Sequence, residues 1–308
     1  MQNLNFRTDM ADERVDAYKE VYNLSEIEGI KVDSKEEGMV KITTVDVLNE
    51  NGKRAVGKDV GKYITMEIKD IEYISDEQKE NIITSLAKQI TTLITRPVES
   101  VMIVGLGNER ITPDSLGPKV VENINVTRHM LRYAKEFVEP NTREISAISP
   151  GVMGTTGIET EEIVESVTKF VKPDLLIVID SLASRSIKRV GKTIQLGNTG
   201  ITPGAGVGNK RQSLNKETLG MEVIAIGVPM VVDLGTIIDE GIDIFIEKLQ
   251  EKAKSNEYLN KLKEQDNYEE IKEALAPKDY NMIVTPKEID NLIDKMKDVI
   301  ASGINYAV

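Results

Sequence analysis

Hydrophobic positions along the chain fall into two rhythms. Residues 38 to 47 (Gly-Met-Val-Lys-Ile-Thr-Thr-Val-Asp-Val) alternate apolar with polar, and residues 63 to 68 (Tyr-Ile-Thr-Met-Glu-Ile) do the same, as half-buried strands do. With Asn51-Gly52 marking a turn between them, residues of about 38 to 70 are expected to form an antiparallel β elaboration. Three later strands are expected at 101 to 104, 175 to 179 and 222 to 226; the first two, and the third after Glu222, are apolar without a break, which suits strands covered on both faces of a parallel sheet. Helical patterning covers 13 to 23, 76 to 93, 116 to 124, 159 to 170 and 233 to 249, and an amphipathic helix at 287 to 300 closes the chain. This order predicts a mixed α/β fold with a largely parallel sheet flanked by helices. Residues 250 to 280, rich in Lys, Glu and Asn, are expected to be an exposed helical insertion.

Composition narrows the classes. The chain has 308 residues, 40% of them apolar, enough for one large core, so residues 10 to 308 are read as a single α/β domain. No apolar run approaches the roughly 20 residues of a membrane span. The start Met1-Gln2-Asn3-Leu4-Asn5-Phe6-Arg7 lacks the apolar core of a signal peptide, which makes a cytoplasmic location the default expectation. Cysteine is absent, excluding disulfides, thiol nucleophiles and Cys-ligated metals. A net charge of −12 argues against direct nucleic-acid binding, which needs a basic surface to release counterions. The acidic stretch from Asp239 to Glu270 is read as a solvated helical face.

The richest chemistry follows two of the apolar runs. Val101 to Val104 leads into Gly105-Leu106-Gly107-Asn108 and then Asp114, and Leu175 to Ile179 leads directly into Asp180. Taken alone, Asp114 fits a cap on the helix that follows it, and Asp180 fits a turn residue. Together, each at the expected end of a strand, they suggest one crevice with two carboxylates. Two such groups close enough to share a proton cannot both ionise, which makes them a candidate acid–base pair.

Other motifs are weaker. Gly105-x-Gly107 lacks the third glycine of a dinucleotide fingerprint, and Gly204-x-Gly206-x-Gly208-Asn209-Lys210-Arg211 lacks the spacing of a phosphate-binding loop. Gly151, Gly154 and Gly157 lead into the acidic start Glu159-Thr160-Glu161-Glu162, where carboxylates suit the helix dipole and repel phosphate. His129 is the sole histidine and has no Gly-x-Ser-x-Gly elbow to serve, so it is read as structural. A bilobal aspartic protease needs two Asp-Thr-Gly motifs, and the look-alike here is Asn198-Thr199-Gly200, whose amide is no base. A hard-cation site from Asp114, Glu159 and Asp180 stays open, since oxygen ligation needs no histidine.

The segments GLGN at 105 to 108 with TPDSLGP at 112 to 118, SPGVMGTTGIET at 149 to 160, DLLIVIDSLASRS at 174 to 186, GNTGITPGAGVGNKR at 197 to 211, ETLGMEVIAIGVPMVVD at 217 to 233 and NMIVTPKEID at 281 to 290 resemble the germination proteases of spore-forming bacteria. The resemblance implies an endopeptidase that degrades small acid-soluble spore proteins in the spore core, made as a self-processing zymogen and assembled as a homotetramer, with no cofactor. It also implies that Asp114 and Asp180 are catalytic and that Gly107, Asn108, Glu159 and Arg185 border the substrate groove. Arg7-Thr8-Asp9-Met10-Ala11-Asp12-Glu13 resembles the family's own cleavage sequence, which implies a propeptide of residues 1 to 9 cut between Asp9 and Met10. Gly-Leu-Gly-Asn followed by a carboxylate is similar also to hydrogenase maturation endopeptidases, implying a phosphorylase/hydrolase-like fold. Two alternatives stand beside the first reading: a metal-sensing maturation endopeptidase of that type, and a non-enzymatic acidic binding protein.

Overall fold

Each of the three apolar runs lies inside a strand buried on both faces. In the computed structural model, which describes residues 8–202, 213–252 and 282–308, the strands are β1 Ile30–Glu37, β2 Val40–Val47, β3 Gly61–Ile68, β4 Ser100–Gly105, β5 Glu144–Ile148, β6 Leu175–Ser184, β7 Thr193–Gly197, β8 Glu222–Asp233 and β9 Ile283–Val284. Among the described residues they form one sheet of order β1-β2-β3-β7-β8-β6-β4-β5, with β9 pairing β8. The block β5-β4-β6-β8 is parallel and the remaining pairings are antiparallel, giving the expected mixed α/β fold.

Alternate residues of the central strands feed two cores. Val101, Ile103, Leu175 and Ile177 face the helices Asp76–Leu93 and Ile289–Ala307, through Ile82, Leu86, Ile90, Met296 and Ile300 among others. Met102, Val104, Leu176 and Val178 face the helix Thr160–Val171 through Val164. The helix Asp76–Leu93 opens with a capping box, in which Ser75 Oγ accepts from Gln78 N at 3.2 Å and Gln78 Oε1 accepts from Ser75 N at 2.8 Å. Among the described residues no helix is long and apolar enough to cross a membrane.

Three local expectations are corrected. Asn51-Gly52 is not a turn: Asn49 Oδ1 accepts from the N–H groups of both residues, at 3.0 and 3.1 Å, and so caps the helix Glu50–Val56. The tight hairpin lies upstream between β1 and β2, and β1 hides from a hydrophobicity reading because its residues, IKVDSKEE, are mostly exposed. β6 runs on to Ser184, past Asp180. The expected helical insertion lies almost wholly outside the described residues, as do residues 1 to 7 of the expected leader and the glycine-rich segment Gly204 to Gly208.

Candidate active site

β4 stops at Gly105, whose partner on β6 is Ile179, while β6 continues along β8. Asp180 is thus the first residue of β6 beyond the end of its parallel neighbour, and it opens into the crevice that the departing chain leaves. The expectation of two strand ends is amended accordingly: one strand ends, and the other passes by.

The chain leaving β4 turns back sharply. Gly107 sits at φ +114°, and a Cβ there would lie 2.1 Å from the Asp114 carbonyl oxygen, so only glycine fits. The fold-back brings Asn108 N–H to the Asp114 carbonyl at 3.0 Å and to its Oδ2 at 2.8 Å. Asp114 ends a 3-10 turn, Thr112–Asp114, and Ser115 occupies the cap position of the next helix, Leu116–Val121, with no side-chain cap bond. Asp114 is therefore no helix cap. Its side chain lines, with Asp180, a cavity of ≈ 800 Å³.

Asp180 is buried, which pushes its carboxyl well above the usual range; the Asp114 charge pushes it further, the Ser181 N–H bond at 2.9 Å offsets part of this, and Asp9 adds a smaller push. Asp180 thus holds its proton more tightly than an ordinary carboxyl, with a second carboxyl group, Asp114, as its neighbour in the cavity.

The N-terminal segment enters the same cavity. Asp9 N–H donates to the Ala183 carbonyl at 2.9 Å, and Ala183 N–H donates to Asp9 Oδ2 at 2.9 Å. The Asp9 carbonyl accepts from Lys58 Nζ at 2.6 Å and from Gln195 Nε2 at 3.0 Å, while Gln195 Oε1 accepts from Ala11 N–H at 2.6 Å. Met10 is fully buried. Beyond it the helix Ala11–Tyr22 is latched by Arg189, which contacts Asp12 Oδ2 at 2.5 Å, Glu13 Oε1 at 3.1 Å and Glu67 Oε1 at 3.2 Å. Lys58 is half-buried beside Asp9, and desolvation of its ammonium pulls it down to about 8. Burial also pushes the Tyr63 hydroxyl, bonded to Thr199 and Asp59, up to about 12.

Of the residues expected at the groove, Gly107 lines the cavity together with Asp9, Asp114 and Asp180, whereas Asn108, Glu159 and Arg185 do not. Asn108 braces Asp114 from behind. Glu159 precedes the helix Thr160–Val171, whose first residue does reach the cavity. Arg185 engages the N-terminal helix, its N–H donating to Glu13 Oε2 at 2.8 Å and its Nη1 to Glu20 Oε2 at 3.2 Å. His129 is exposed on the helix Arg128–Tyr133, away from the cavity. Among the described residues no three His, Cys, Asp or Glu side chains gather as a metal-holding group, Asp114, Glu159 and Asp180 included.

Sequence reasoning missed Lys58, Gln195 and Thr199, all of which line the cavity. Lys58 follows the surface helix Glu50–Val56 and carries no motif. Gln195 leaves one faint signal, a polar amide inside the short and entirely buried strand β7, where an amide must find partners.

A family model described as germination protease matches residues 7–262 and 250–308. The germination protease of Clostridium tetani is 46% identical over 99% of this chain and 96% of its own length. That of Caldanaerobacter subterraneus is 46% identical, covering 99% and 94%, and that of Priestia megaterium is 41% identical, covering 98% and 93%. Among solved structures, the NiFe hydrogenase maturation protease HycI of Thermococcus kodakarensis aligns with a TM-score of 0.32 and 20% identity over 46% of this chain and 80% of that one.

Proposed function

The chain belongs to the germination protease family and is a protease of spore germination, and from that premise we propose that it is made as a zymogen whose first cut, between Asp9 and Met10, is its own. After that cut the same cavity hydrolyses small acid-soluble spore proteins in the spore core, the protein acting as a homotetramer. The observation that carries this reading is the position of Asp9, which lines one cavity with Asp114 and Asp180 and has its carbonyl gripped by two donors.

The chemistry is hydrolysis by one water and two aspartates. Asp114 takes a proton from the water as its oxygen adds to the carbonyl carbon, and Asp180 supplies the proton that lets the peptide bond break. Incubation of purified full-length protein under mildly acidic conditions, followed by N-terminal sequencing, is expected to yield a chain beginning at Met10. Asp114→Asn and Asp180→Asn keep the shape and remove proton transfer, so each is expected to slow the cut by about 10²–10⁴-fold while remaining folded. Wild-type processing in either folded variant overturns the two-aspartate mechanism, and an intact wild type under conditions that activate peptidase activity overturns self-processing.

A further inference from the structure

The Asp9 carbonyl oxygen has both lone pairs occupied, one by the ammonium of Lys58 at 2.6 Å and the other by the amide N–H of Gln195 at 3.0 Å. Nothing about holding a leader in place requires a desolvated ammonium on a backbone carbonyl; a neutral donor from a neighbouring strand would hold it at less cost. Gln195 meanwhile spans the bond, giving its N–H to the Asp9 carbonyl and taking the Ala11 N–H at 2.6 Å, so the peptide between Asp9 and Met10 is fixed from both sides.

Resting on the reading of that bond as the substrate bond, we propose that Lys58 and Gln195 form the oxyanion site of this protease. As water adds to the Asp9 carbon, the electron pair of the C=O bond moves to the oxygen, and the negative charge forms between a cation and a fixed N–H dipole. With both lone pairs of the carbonyl already engaged, the Asp180 proton goes to the departing nitrogen of Met10 rather than to that oxygen. The C–N bond then breaks, C=O reforms, and Asp9 is left as a carboxylic acid with Met10 as a free amine. Asp114 is left protonated and Asp180 ionised, and proton transfer between them resets the pair.

The surroundings of Lys58 suit this work. Asp9, Asp59 and Asp12 favour its charge, Arg14 opposes it, and the ammonium lies 5.8 Å from the centre of the Tyr63 ring. Asp59 is itself paired with Lys53 at 2.8 Å, which leaves the carbonyl as the acceptor closest to Lys58. With an ammonium that titrates at about 8, the catalytic rate should fall as pH rises through that value.

The test uses the full chain, self-processing first and then, after trimming in trans by a trace of wild-type enzyme, turnover of a free peptide containing Asp-Met-Ala. Lys58→Met is expected to lower kcat by about 10²–10³-fold with KM within a few-fold of wild type. Lys58→Arg should retain part of the rate and remove the share of the alkaline fall that Lys58 contributes, leaving the share set by the Asp180 proton, because a guanidinium stays charged. Gln195→Glu keeps the acceptor for Ala11 N–H, removes the donor and sets a negative charge against the oxyanion, so it should be as slow as Lys58→Met. A Lys58→Met enzyme that raises KM and leaves kcat intact assigns Lys58 to docking alone and overturns the proposal. A wild type that never cuts at Asp9–Met10 overturns the processing reading and this one with it, whereas a wild type that cuts beside a Lys58→Met chain cutting equally fast overturns this one alone.

Discussion

Arg189→Met tests how the N-terminal segment is held. The guanidinium reaches Asp12, Glu13 and Glu67 at 2.5 to 3.2 Å, and the Asp12 and Glu13 side chains are about nine-tenths buried. Glu67 is more than a third exposed, so water screens its share and it contributes little. The loss therefore comes from Asp12 and Glu13, two adjacent carboxylates left buried without their cation. Removing one partner of a buried pair costs about 3–5 kcal/mol. At about 1.5 °C per kcal/mol for a chain of 308 residues, the melting temperature at pH 7 should fall by about 5–8 °C. Calorimetry at pH 7 measures it. Adding Asp12→Asn and Glu13→Gln to Arg189→Met should recover most of the loss, which simple truncation of a long side chain would not. A shift below about 2 °C at pH 7 refutes the latch.

Two further outcomes follow from the same geometry. Asp180 has a native pKa raised above its unfolded value, so its contribution to stability is fully present below the unfolded carboxylate pKa and is lost as pH climbs toward the native one; Asp180→Asn does not titrate, and its melting temperature relative to wild type should rise between pH 4 and pH 7, with a constant difference contradicting the buried, proton-retaining carboxyl. Gly107→Ala places a methyl 2.1 Å from the Asp114 carbonyl at a φ that alanine avoids, so the variant should lose about 1–3 kcal/mol of stability and, through displacement of Asp114, about 10²-fold in turnover; near-normal kinetics in the folded variant would mean that the turn does not position Asp114.

The parts of the fold that were legible in the sequence are those where burial repeats. Residues 101 to 104 and 175 to 179 are apolar at every position because both faces of β4 and β6 are covered, and residues 76 to 93 carry a capping box and an apolar stripe that give the helix its observed bounds. β1 was hidden because an exposed edge strand has no apolar face to display, and the helix after Asn49 because the Asn-Gly that favours a turn serves equally well under an asparagine cap. Asp114 and Asp180 were legible as candidates because each stands beyond a legible apolar run, Asp180 directly after residues 175 to 179 and Asp114 in the loop that follows β4.

Lys58 and Gln195 could not be found in that way, and the reason is topological. They lie on the antiparallel side of the sheet, Lys58 just before β3 and Gln195 within β7, which pairs β3 on one side and β8 on the other. The two aspartates come from the parallel side, and the groups meet because β8 is flanked by β7 and β6. No spacing in the chain encodes that meeting. The parallel half of the sheet contributes the two carboxyl groups of the cavity, while the antiparallel half contributes the donors to the Asp9 carbonyl, so the N-terminal β elaboration is part of the cavity rather than an ornament on a finished domain.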